Sequence, residues 1–207
     1  MKKLAFIFIL LIGGLYASHA QIDNSDDLLN DIEDTEQAQL LPGKMLLTQR
    51  MLWGNRGLMR SFNRFKLTPE NRQRELNLRR NMLVAHQVGG FVTLGGMVAQ
   101  GIVGAKLYSG DVNLKHTHEA LGVLVNTTYF TTAGLAFFAP PKMFNERKGY
   151  SSIKVHKYLA ALHFTGMLAT NILAGQLESH PNLRPYHRAA AFTSFAAFAA
   201  AMFIIKF

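Results

Sequence analysis

Cysteine is absent from the chain, and this absence removes several classes of site. Disulfide bonds, zinc–thiolate sites, iron–sulfur clusters and c-type haem attachment all require cysteine. Aspartate and glutamate are also missing from four long apolar stretches in the second half of the chain. Metal transport and proton relays across a membrane usually depend on carboxylates, so neither function is favoured.

The charge that is present is unevenly distributed. The net charge is +9, yet residues 21–36 contain seven acids and no base, whereas residues 44–80 contain ten Lys or Arg and two acids. The acidic stretch has no aromatic residues, so we predict that residues 21–43 are disordered. In residues 44–80, basic residues alternate with leucine and methionine. This predicts a basic amphipathic segment that lies on the membrane surface, keeps Trp53 near the headgroups and leads into the second half of the chain.

Residues 1–20 have the three parts of a signal peptide. "MKK" is the basic start, "LAFIFILLIGGLY" the apolar centre, and "ASHA" a small-residue cleavage site before Gln21. The apolar run is short for a membrane span, although an uncleaved anchor helix is the alternative. Both interpretations predict that the chain from Gln21 onward is translocated.

Four uncharged stretches follow in the second half, each near the roughly 20 residues that a helix needs to cross a hydrocarbon core. Their connections are short and small residues are frequent within them, which favours close antiparallel packing in lipid. We therefore predict an all-α fold, in which residues 81–207 form a membrane-embedded antiparallel four-helix bundle behind a short polar N-terminal extension. The predicted spans are residues 82–105, 120–141, 158–177 and 189–205.

Each predicted span has a histidine near its N-terminal end. Because consecutive helices run in opposite directions, the first and third histidines would lie towards one membrane face and the second and fourth towards the other. A six-coordinate haem iron takes one axial nitrogen from each side, and bundles hold cofactors between facing helices. The pattern predicts two b-type haems, one in each leaflet. The four residues are His86, His118, His156 and His187.

Two other histidines compete for these positions. His163 lies seven residues after His156, on the same helix face, and as far beyond the last charged residue as His86 does. His116 lies two residues before His118, and residues at that spacing point to different faces of a helix. We favour His118 over His116 because it lies nearer to the span, whereas His156 and His163 both remain candidates on these grounds.

Residues 82–207 resemble the cytochrome b561 family of transmembrane b-type cytochromes. The likeness lies in the order of the four helices and in histidine intervals of 32, 38 and 31 residues. It also lies in "HEALG" at 118–122 and "PYHRAAAF" at 185–192, which are similar to the openings of two core helices in the family. The chain shows neither the further helices nor the attached extracellular domain of many family members.

The resemblance implies a ligand set and a function. In the family, helices one and three hold one haem and helices two and four the other, which corresponds here to His86 with His156 and His118 with His187. The intervals also favour His156 over His163. The implied activity is electron transfer from a small reductant such as ascorbate or from a redox partner. Such a protein is an electron carrier or a transmembrane reductase, and neither a hydrolase nor a transferase.

A cofactor-free membrane scaffold, or an accessory subunit of a larger complex, is the alternative function. It would need the apolar helices but not the histidine pairs, so it predicts a colourless protein. Under both interpretations the protein lies in a membrane, and no nucleic-acid partner is expected. The sequence is compatible with a homodimer or with a subunit of a larger complex.

Two indicators of membrane orientation conflict. The signal peptide places residues 21–80 and the loop 142–157 on the non-cytoplasmic side of what we expect to be a bacterial inner membrane. That loop contains five lysines and arginines, which the positive-inside rule would place in the cytoplasm. We follow the signal peptide, so the basic side is expected to face the outer leaflet or an acidic partner.

Overall fold

The computed structural model describes residues 40–143 and 151–205, and every regular element within these ranges is helical. The all-α class is therefore confirmed for the described ranges. The predicted signal peptide, most of the predicted disordered segment and part of the loop 142–157 lie outside the described residues. The α-helices are α1 (Leu47–Trp53), α2 (Pro69–Tyr108), α3 (Lys115–Phe138), α4 (Ser152–Ala174) and α5 (Arg184–Ile204). Short 3₁₀ turns precede α2, α3 and α5.

Helix α2 is unbroken over 40 residues and is about 60 Å long at about 1.5 Å per residue. It begins where the Thr68 hydroxyl accepts a hydrogen bond from the Asn71 backbone N–H at 3.3 Å, with Pro69 at the first helical position. A hydrocarbon core is about 30 Å thick, so about half of α2 extends beyond it. The basic segment thus enters the first predicted span without a break in the helix.

Three helical segments are long and apolar enough to cross a membrane: Pro69–Tyr108, Val112–Phe138 and Pro181–Ile204. They cover the predicted span 82–105 completely and most of the predicted spans 120–141 and 189–205. Helix α4 has 23 residues, but polar residues such as Lys157 and Asn171 interrupt its apolar sequence. It is not among the candidate spans found in the described ranges, so a fourth span stays a prediction.

The four long helices form two antiparallel hairpins. Helix α2 packs along α3 in the first hairpin, and α4 packs along α5 in the second. Glycine permits close approach in both: a Cβ on Gly96 would lie 3.0 Å from Val125, and a Cβ on Gly166 would lie 3.1 Å from Ser194. Small residues commonly bring helices together in lipid, where the hydrophobic effect does not drive helix association.

The two hairpins meet through an apolar core and a polar pair. Asn126 on α3 and Asn171 on α4 exchange two side-chain amide hydrogen bonds of 2.8 Å each. Because each amide both donates and accepts, the pair fixes the position of one hairpin along the axis of the other. The buried apolar residues around it are Leu94, Met97, Val125, Tyr129, Met167 and Phe198.

Residues 40–66, which we call the cap, fold against the ends of α2 and α3. Trp53 donates from Nε1 to the Phe138 carbonyl at 2.9 Å, and Thr48 donates from Oγ1 to the Phe137 carbonyl at 2.8 Å. These carbonyls belong to the last turn of α3, where helical partners are missing. Trp53 is 4% exposed and is therefore packed within the protein, while its position near the lipid headgroups stays a prediction.

A buried ion cluster joins the cap to α2. Glu75 is fully buried and accepts hydrogen bonds from Arg72 Nη1 at 2.7 Å and from both terminal nitrogens of Arg60. Arg72 also donates to the Leu40 carbonyl at 2.8 Å and to the Pro141 carbonyl. One carboxylate therefore balances two guanidinium groups that hold the start of the cap and the end of the first hairpin together.

The substitution Glu75→Ala is expected to destabilise the cap by about 3–5 kcal/mol, because two largely buried cations lose their counter-charge. Trp53 is the only tryptophan in the chain, so its fluorescence during denaturation in detergent measures the change. Glu70→Ala is the matched control, since Glu70 is exposed in the first turn of the same helix. Equal stability of the two variants would contradict this role of Glu75.

Candidate functional site

Four of the predicted site residues form two facing pairs. In the first pair, His86 on α2 faces His156 on α4, with ring centres 6.3 Å apart and ring planes at 87°. In the second pair, His118 on α3 faces His187 on α5, with ring centres 6.5 Å apart and ring planes at 81°. Each pair combines one ring from each hairpin, so both pairs bridge the two halves of the structure.

The two pairs lie at opposite ends of the hairpins. The ring of His118 packs against Gly104, and α2 rises by about 27 Å from His86 to Gly104. This distance is close to the thickness of a hydrocarbon core, about 30 Å. Within the described residues, α2 and α4 do not pack along each other as the helices of one hairpin do, nor do α3 and α5. Each histidine pair thus bridges two helices that are not close neighbours.

Three of the four rings are held by a backbone carbonyl on the other helix of their own hairpin. A carbonyl oxygen only accepts, so in each case Nδ1 carries the proton and Nε2 keeps its lone pair. Metal-bound histidines have the same arrangement, because the second ring nitrogen donates to a carbonyl and orients the ring. The Nδ1–oxygen distances are 2.8 Å for His86 to Thr132, 2.9 Å for His156 to Ala201 and 3.0 Å for His187 to Thr170.

The fourth ring, His118, is held differently. Its Nε2 lies 3.4 Å from the side-chain nitrogen of Gln100, and its buried Nδ1 has no hydrogen-bond partner among the described residues. A Cβ on Gly104 would lie 2.8 Å from Cε1 of the ring, so a larger residue at that position would displace the ring. Because Gln100 contacts Nε2 of His118, this contact must open before that nitrogen and Nε2 of His187 can bind one metal atom.

The spacing of both pairs fits one metal atom bound by two imidazoles. Metal–imidazole bonds are about 2.0–2.1 Å long and the ring centre lies about 1.1 Å beyond the bonded nitrogen, which separates two opposed rings by about 6.3 Å. Within the described ranges, no three His, Cys, Asp or Glu side chains cluster. Two imidazoles suit a metal whose other ligands come from a macrocycle, as in haem.

The competing histidines occupy other environments. Nδ1 of His163 lies 2.6 Å from the Tyr129 hydroxyl, and its ring centre lies 5.0 Å from that of Phe198. His163 is therefore part of the apolar core and is paired with a tyrosine. His116 is exposed, as is His180. The choice of His156 over His163, and of His118 over His116, as haem ligands stays a prediction.

Sequence reasoning missed the groups that orient the rings. Thr132, Thr170 and Ala201 act through backbone carbonyls, which every residue possesses, so no side-chain signal could have identified them. Gln100 and Tyr129 are different, because each is a polar side chain within an apolar stretch and such groups need a partner. That rule would have singled out both residues without naming the histidines that they contact.

The candidate site thus consists of four imidazoles on four helices, with three carbonyls and one glutamine that contact them. The two pairs lie between the hairpins, one near each end. Comparisons of the chain with protein-family models, with curated proteins and with solved structures found no match.

Proposed function

We propose that this protein is a membrane cytochrome of the cytochrome b561 type that transfers electrons across the bilayer through two b-type haems. In this proposal α4 is a fourth span, and the four long helices form an antiparallel membrane bundle. His86 and His156 would ligate one haem, and His118 and His187 the other. Bound haem supplies an iron centre that accepts and releases one electron.

One observation carries the proposal: two separate histidine pairs both have the ring separation of bis-imidazole ligation. A single pair of this kind is weak support, because histidines also pack against each other in cores. The second pair uses the other two helices, lies at the other end, and has nearly the same spacing. Imidazoles are costly in an apolar environment, so this repetition favours a ligand that satisfies them.

The chain's own residues orient the imidazoles. The carbonyls of Thr132 and Ala201 orient the first pair, and a hydrogen bond from Nδ1 to a carbonyl makes an imidazole a stronger ligand. His118 has a longer contact to Gln100 in place of such a bond. Because hydrogen bonding and burial tune reduction potentials, we expect the two sites to have different potentials.

Protein purified in detergent from haem-replete cells is expected to be red and to contain two haems per chain. The measurements are the haem-to-protein ratio and a reduced-minus-oxidised difference spectrum, which should show a sharp b-type band. A redox titration should resolve two components. A colourless preparation would contradict the proposal and favour the cofactor-free scaffold.

We propose that the protein resides in a bacterial inner membrane with its N-terminal segment on the non-cytoplasmic side. Four spans would return the chain to the side on which it started, so a phosphatase reporter after Phe207 is expected to be active. The same reporter in the loop 178–183 is expected to be inactive, because phosphatase folds only after export. The reverse pattern would show that the lysine and arginine distribution determines the orientation.

A further inference from the structure

The cap has a surface on which basic and apolar side chains are exposed together. Residues 40–66 contain no Asp or Glu, and the carboxylate of Glu75, which the cap contacts, is buried and shared by two arginines. The exposed basic residues of the cap are Lys44, Arg50, Arg56, Arg64 and Lys66. The large exposed apolar residues are Leu46, Leu47, Met51, Leu58 and Phe62.

Contacts to α3 give the depth of this surface in the membrane. The α1 side chains of Thr48 and Trp53 bind the carbonyls of Phe137 and Phe138, the last two residues of α3. Because α3 belongs to a segment apolar enough to span the bilayer, α1 lies at the level where this segment ends. Leu47, the neighbour of Thr48 on α1, is 72% exposed, and Phe137 and Phe138 are also exposed. The apolar surface of the spanning helix therefore continues onto the cap.

We propose that the cap binds the anionic phospholipid headgroups of the leaflet that it faces. At the membrane boundary, leucine and methionine side chains enter the upper acyl region, while arginine binds phosphate through paired N–H donors. A basic residue close to an anionic membrane surface strengthens binding by about five-fold. An acidic protein would match the charges, but it would not account for apolar side chains at the depth of the lipid. This inference is independent of haem binding.

Trp53 provides the test, because it is the only tryptophan and it lies within the cap. The full chain is placed in vesicles that contain brominated phosphatidylglycerol or brominated phosphatidylcholine at equal mole fraction. Bromine quenches nearby tryptophan, so the ratio of the two quenching efficiencies reports which lipid surrounds the cap. We expect phosphatidylglycerol to quench about two- to five-fold more strongly, and the ratio to approach one in 1 M salt, where the screening length is about 3 Å.

Two variants separate the cap from the rest of the protein. The triple variant Arg50→Gln, Arg56→Gln, Arg64→Gln should bring the quenching ratio close to one, and its emission maximum without brominated lipid shows whether the cap still folds. The control Lys106→Gln, Arg184→Gln removes exposed charge at the opposite end and should keep the wild-type ratio. A ratio of one in the wild type would overturn the proposal and point to an acidic protein as occupant. A quenching ratio that stays well above one in the triple variant, or in 1 M salt, would also overturn the proposal.

Discussion

Alanine at either ring of the first pair, His86 or His156, is expected to reduce the haem content of the purified protein to about half. Each of these rings would supply one of two axial nitrogens, and the carbonyl that orients it cannot replace it as a ligand. Alanine at His118 or His187 should have the same effect on the second haem. The measurement is the haem-to-protein ratio of each variant, with the redox titration identifying which component is lost.

Double variants make the pairing testable. His86→Ala with His156→Ala should lose no more haem than either single variant, because both residues would serve one site. His86→Ala with His118→Ala should lose both haems, because separate sites behave additively. The exposed His180 gives the control, and His180→Ala should retain both. Loss of haem from His163→Ala but not from His156→Ala would show that the pairing is wrong.

The second large effect is expected from Gly104→Ala. The added Cβ would lie 2.8 Å from Cε1 of His118, closer than side chains approach, so the ring must move away from α2. Alanine favours a helix over glycine by about 1 kcal/mol, so the substitution does not weaken α2 itself. We therefore expect loss of the second haem from a folded protein. In the His86→Ala background, where only the second site remains, Gly104→Ala should give a colourless protein.

Gly101→Ala is the matched control on the same helix. No atom lies within 4 Å of the Cβ that this substitution would add, so the haem of the His86→Ala background should be retained. The comparison tests the position of His118 without changing any proposed ligand. If Gly101→Ala and Gly104→Ala behave alike, the contact between Gly104 and His118 does not determine haem binding.

The start of α2 and the facing histidines could be predicted from the sequence because both depend on local rules. Thr68 followed by Pro69 combines a favoured N-cap with a favoured first helical residue, and the structure begins α2 there. The pairing of His86 with His156 follows from helix order, since alternate helices in an antiparallel arrangement begin at the same end. The structure brings these two rings together.

The cap could not be predicted, because its contacts are distant in sequence. Arg72 and Glu75 lie three residues apart on a helix, a spacing that predicts a surface ion pair, yet both are buried. What buries them is the return of residues 40–66, which no local pattern indicates. The hydrogen bond of Trp53 is equally distant in sequence, because the Phe138 carbonyl that accepts its N–H lies 85 residues away.

The hairpins are spaced almost as a repeat: His156 follows His86 by 70 residues, and His187 follows His118 by 69. Contacts that orient a ring stay within one hairpin, whereas each ring pair needs both hairpins. If all four long helices span the bilayer as proposed, each half would enter it with its imidazoles already oriented, before the other half has been synthesised. In the proposed function, haem capture would then wait until both halves have packed through their apolar core and the Asn126–Asn171 pair, because each haem needs one imidazole from each half.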